Sequence, residues 1–217
     1  MSVINTTNLF PALRMSVEEL IDQAKVISPE RMDVLNNFAN YIINKIAKKE
    51  AIKLNFICTH NSRRSHLAQI WAAVAADYHN LNLSSYSGGT EATALAPQVA
   101  NALKRLGFKV EHKGDDNPSY QFSYSSEKKP IICFSKTYDD DFNPVKSFAA
   151  IMTCTDADEK CPFVPGSEFR LALPYQDPKQ SDGLPTETNT YDQTVQRIGR
   201  EMFYLMYLVK NSTEISQ

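Results

Sequence analysis

Lys53-Leu-Asn-Phe-Ile-Cys-Thr-His-Asn-Ser-Arg-Arg-Ser65 is the stretch on which the fold turns. Lys53–Ile57 has the length and apolar content of a short buried strand, and Cys58 falls at its C-terminal end. Ser65 is placed to cap an alanine-rich helix running to about Tyr78. A tight loop between a strand and a helix can turn successive backbone N–H groups toward one anion, and the helix N-terminus adds its positive dipole end. Arg64, separated from Cys58 by five residues, can grip two oxygens of that anion bidentately. The same positive surroundings favour thiolate over thiol at Cys58, to which Ser65 can also donate. A buried cysteine before a basic turn is the plainer alternative. The apolar strand before it, the serine after Arg64 and the helix that follows favour an anion loop with an attacking thiolate.

Outward from this stretch the pattern alternates. Ser84–Ser87 reads as a second strand ending in Gly88-Gly89, and Pro97–Leu106 as an amphipathic helix closed by Gly107. Phe148–Met152 is a buried strand with Cys154 just beyond it, and residues 190–209 form a closing helix. Between them, 121–125 and 131–134 have the character of a hairpin, with loops at 139–141 and 143–144. Strand–helix–strand–helix is the rhythm of an α/β fold with a parallel sheet covered by helices. Residues 1–50 differ. Ser16-Val-Glu-Glu19 has the form of a capping box, Ser28-Pro29 that of an N-cap and first helical residue, and Met32, Leu35, Phe38, Ile42, Ile43 and Ile46 recur at helical spacing. The expected organisation is a helical extension over 1–50, either packing on the rest or offering a homodimer or partner surface, followed by an α/β domain over 51–217.

A formal net charge of −2 gives no support to nucleic-acid binding. The N-terminal residues lack the basic and apolar regions of a signal peptide, and no stretch approaches the roughly 18 apolar residues of a membrane span. A cytoplasmic protein without membrane or nucleic-acid partners is expected. Cys58, Cys133, Cys154 and Cys161 do not form a secreted disulfide framework. The spacing of Cys154 and Cys161 is wrong for a zinc hairpin, so no metal is expected. If the segment between them were helical, their Cα atoms would lie about 10.5 Å apart, beyond the roughly 7 Å that a disulfide spans. Bridging would require that segment to uncoil.

Phe56–Ser65 resembles the anion loop of the low-molecular-weight tyrosine phosphatase superfamily, with a nearer likeness to its thioredoxin-coupled arsenate reductases. His66 stands where the phosphatases usually carry proline, and Thr59 and Ser62 look like the reductase branch. The likeness continues through Tyr86–Glu91, Met152–Cys161 and Asp177-Pro178, covering about residues 53–210. It implies a four-stranded parallel sheet of order 2-1-3-4 flanked by helices, with the loop at the switch point. It also implies a loop, Thr59, His60, Asn61, Ser62, Arg63 and Arg64, that binds a small oxyanion, and a catalytic set of Cys58, Arg64, Ser65, Asp177, Cys154 and Cys161. In that scheme Asp177 is the general acid and the three cysteines relay electrons to arsenate. No cofactor is bound, and thioredoxin is the electron donor. Cys133 receives no role.

Three departures stand out. His60 occupies a position usually held by glycine, so a positive φ there would strain the loop unless His60 contacts substrate. Arg63 replaces a second loop cysteine, and is expected to point to solvent rather than to attract larger anions. A cation site known in some of these reductases is matched by Asn61 and Ser87, but Gln69 replaces a carboxylate. The Lys136 ammonium is then the candidate to support the loop in place of a bound cation. Two other functions compete with arsenate reduction. One is phosphomonoester or phosphotyrosine hydrolysis through phospho-Cys58, although Lys179-Gln180 offers no aromatic wall for a phenyl ring. The other is a thiol redox or oxyanion sensor.

Overall fold

A computed structural model describes residues 9–215. Strands β1 (Lys53–Cys58), β2 (Ser84–Gly89), β6 (Phe148–Met152) and β7 (Ser167–Ala172) form one parallel sheet in the order β2-β1-β6-β7. Numbered within that sheet, this is the expected order 2-1-3-4. Helices α3 (Arg64–Tyr78), α4 (Pro97–Arg105), α5 (Thr155–Lys160) and α6 (Glu187–Ile215) connect and flank it. Alternation along β1 and β6 separates two apolar faces. Leu54, Phe56, Ala149 and Ile151 join the main core with Trp71 of α3 and Phe203 of α6. Ile57, Phe148, Ala150 and Met152 face a smaller cluster that holds Cys58 and Cys154.

The N-terminal helices α1 (Pro11–Asp22) and α2 (Pro29–Ala47) send Leu13, Val17, Leu20, Leu35, Phe38 and Ile42 into that same main core. Ser28 caps α2, accepting from the Arg31 N–H, as its sequence predicts. The capping box at Ser16 does not form. Helix α1 is capped six residues earlier, at Phe10, with Pro11 in its first turn, and the Ser16 hydroxyl bonds to the Leu106 carbonyl instead. The expected hairpin exists two residues upstream on its first strand, as β4 (Ser119–Ser123) against β5 (Ile131–Cys133), and β3 (Lys109–Lys113) extends it to a three-stranded antiparallel sheet. Helix α6 begins before residue 190 and runs past 209. Among the described residues, no helix is long and apolar enough to cross a membrane, and no group of three or more His, Cys, Asp and Glu could hold a metal.

Candidate active site

Cys58 ends β1 at the point where the sheet order reverses, the position at which open α/β sheets place ligands. The loop after it is held from outside through its carbonyls. Cys58 O accepts from Thr90 N (3.1 Å), Thr59 O from Glu91 N (2.8 Å) and Ser62 O from Ala96 N (3.0 Å). His60 O accepts from the hydroxyls of Thr93 (3.1 Å) and Ser135 (3.0 Å). With carbonyls committed outward, the peptide planes direct N–H groups toward the loop centre, as an anion cradle requires. Close approach is possible because Gly89 has no side chain: a Cβ there would lie 2.6 Å from Thr59 O and 2.8 Å from Asn61 N.

The left-handed residue of the loop is Asn61 (φ 44°), not His60. Asparagine tolerates this region well, so His60 introduces no such strain. Its ring is half exposed and 3.9 Å from the Glu91 carboxylate. Asn61 is buried and bonded at both ends of its amide: Nδ2 donates to Ser65 Oγ (2.9 Å), and Oδ1 accepts from Lys136 N (2.9 Å). Ser65 lies inside α3 instead of capping it; Arg63 occupies the N-cap. Because Ser65 Oγ accepts from Asn61, its own proton is free for Cys58 Sγ at 3.1 Å. The loop support expected of Lys136 therefore comes from its backbone N–H. Its ammonium donates to Phe134 O (3.4 Å) and lies 4.5 Å from the centre of the Phe134 ring. Ser87 makes no hydrogen bond to Asn61; its hydroxyl donates to Gln69 Oε1 (2.6 Å) and lies 3.0 Å from His66 Nδ1.

Arg64 donates to Asp177 Oδ2 (2.7 Å) and to Tyr175 O (3.2 Å), so the arginine and the expected general acid do meet. Cys58, His60, Ser62, Arg63, Arg64 and Asp177 line a cavity of about 10 Å³, scarcely the space for one water. A tetrahedral oxyanion enters only if Asp177 moves off Arg64. Arg63 does not point to solvent. Its side chain is 13% exposed and bonds to Asp182 and Tyr191, neither of which carries a motif that would have singled it out.

Cys154 is fully buried beside the loop, with Sγ 3.5 Å from Thr59 Oγ1, and it caps α5 by accepting from Ala157 N (3.4 Å). Cys161, at the far end of α5, is partly exposed, and all four cysteines are free. Helix α5 is therefore formed in the reduced protein. Arg170 of β7 fastens it, donating to Asp158 O (2.7 Å) and Cys161 O (3.1 Å). Cys133 lies apart on β5 with Sγ 3.6 Å from Gln69 Oε1; burial pushes its thiol up to about 12, which leaves it unreactive.

No family model matches the chain. It is 30% identical over 125 residues to an arsenate reductase of Staphylococcus aureus (strain Newman), a match covering 57% of this chain and 76% of that protein. It is 28% identical over 141 residues to the arsenate reductase of Bacillus subtilis, covering 64% and 84%. Among solved structures, an arsenate reductase from Archaeoglobus fulgidus aligns at a TM-score of 0.47 and 16% identity, covering 71% of this chain and 98% of that one.

Proposed function

This chain belongs to the superfamily of low-molecular-weight tyrosine phosphatases and thiol-dependent arsenate reductases, and on that premise we propose that it reduces arsenate to arsenite through Cys58, Cys154 and Cys161. The Cys58 thiolate attacks arsenic held in the loop. One As–O bond breaks, and the oxygen leaves as water with a proton from Asp177. The Cys154 thiolate then attacks Cys58 Sγ. The S–As bond breaks with its electron pair remaining on arsenic, so arsenite departs and a Cys58–Cys154 disulfide is left. Arsenic gains the two electrons that the two thiols lose. Cys161 next attacks Cys154, which returns Cys58 as thiolate and leaves Cys154–Cys161 for an external dithiol such as thioredoxin to reduce.

The observation that carries this reading is the placement of Cys154. Its sulfur touches the residue next to the nucleophile, and it sits at the start of a helix, where it accepts from Ala157 N. The test is arsenate turnover with thioredoxin, thioredoxin reductase and NADPH, run beside Cys154→Ser and Cys161→Ser. The relay predicts that both variants lose arsenate turnover while retaining any phosphomonoesterase activity. Unchanged turnover in both would end it.

One observation favours phosphomonoester hydrolysis as a second reading. A cleft of about 450 Å³ adjoins the loop, lined by His60, Ser62, Leu95, Pro97, Gln98 and Lys179 among others. Free arsenate has no use for that space, whereas an ester's leaving group would fill it.

A further inference from the structure

Arg63 and Arg64 are neighbours in the loop, yet they hold the two ends of one other segment. Arg64 takes Tyr175 O and the Asp177 carboxylate. Arg63 takes Asp182, five residues further on, through Nη2 to Oδ2 (3.0 Å). Its Nε donates to Tyr191 Oη (2.7 Å), and that hydroxyl donates in turn to Asp182 Oδ1 (2.7 Å). Three hydrogen bonds thus close a ring between the anion loop, the end of the 3-10 turn Pro178–Ser181 and the first turns of α6. Tyr191 is fully buried, so the ring is anchored in the core. Binding one small oxyanion in the loop requires Arg64, whereas the Nε and Nη2 of Arg63 are committed away from Cys58.

We propose that Arg63, Asp182 and Tyr191 are positioning residues that hold the segment 175–182 closed over Cys58, so that Asp177 is delivered to the site and competes with the incoming oxyanion for Arg64. This rests on the reading of Asp177 as the proton donor. The competition follows from the geometry, because the carboxylate already occupies the guanidinium edge and the remaining cavity holds no tetrahedral anion. Loosening the ring therefore has two effects of opposite sense. Asp177 leaves Arg64 more readily, so anions bind more tightly. The proton is delivered less often, so turnover slows. A ring that merely supported the fold would weaken both together.

The experiment uses the full chain with Tyr191→Phe and Asp182→Asn, two changes that keep side-chain volume. Inorganic phosphate binding is read from its protection of Cys58 against iodoacetamide, followed by peptide mass, and needs no turnover. Arsenate kcat and KM are measured in parallel. The expected result is phosphate binding tighter by about threefold or more, with kcat lower by roughly tenfold or more. Tighter phosphate binding in a protein that turns over no arsenate would support the ring while removing the arsenate assignment. Weaker phosphate binding together with lower kcat, or no change in either, would overturn the proposal.

Discussion

His66 lies directly beneath the anion loop and shows how closely that region is determined by single atoms. The Ser87 hydroxyl gives its proton to Gln69, so the 3.0 Å contact with His66 is made by an Nδ1–H donor, and the ring is neutral. Complete burial, and secondarily the Lys136 charge, push its pKa down to about 3. An unfolded histidine titrates near 6.5. Between these values the unfolded chain binds the extra proton, so the contribution of neutral His66 is whole above about pH 6.5 and is lost as pH falls toward 3, at up to about 1.4 kcal/mol per pH unit. Urea unfolding of wild type and His66→Gln at pH 7, 6 and 5 should show a shallower fall in the variant; parallel falls would contradict this. His79, pushed down to about 4 by burial and then by Lys210, leaves a residual slope in both. Cys58, Asn61 and Arg64 were legible in the sequence because an anion loop dictates residue types at fixed spacing. Arg63 was not, because its partners Asp182 and Tyr191 lie more than a hundred residues away and their meeting depends on tertiary packing. The sequence places the α3 cap at Ser65, whereas the helix is capped two residues earlier at Arg63, which leaves the Ser65 hydroxyl for Cys58.

Helix α5 is the element on which the proposed relay depends. It separates Cys154 from Cys161 and is pinned by Arg170, so a disulfide between the two thiols requires the helix to unwind. Backbone amides of 155–160 should therefore exchange with deuterium faster in the Cys154–Cys161 oxidised protein than in the reduced one. Equal protection in the two states would contradict that requirement. The strands β1 and β6 were readable because their apolar residues sit between clear turn signals, and β2 because Tyr86 stands just before Gly88-Gly89. β3 and β7 were not: Lys109–Lys113 is mostly polar and exposed, and Ser167–Ala172 is an edge strand without a continuous apolar run. The closing helix outran its expected ends because its first and last turns carry polar residues that helix periodicity alone does not capture.

At the scale of the whole molecule, two sheet faces divide the work. The main core joins the N-terminal helices to α3 and α6 and fixes the far side of the sheet. The smaller cluster gathers Cys58 and Cys154 on the other face. The proposed relay needs that convergence of residues nearly a hundred positions apart to bring sulfur to sulfur, and a trapped disulfide would report it. The reduced Cys161→Ser variant is treated with arsenate alone, quenched in acid and mapped by peptide mass. Stoichiometric arsenite and a Cys58–Cys154 disulfide are expected. Arsenite without that disulfide, or a modified Cys58 beside a free Cys154, would contradict it.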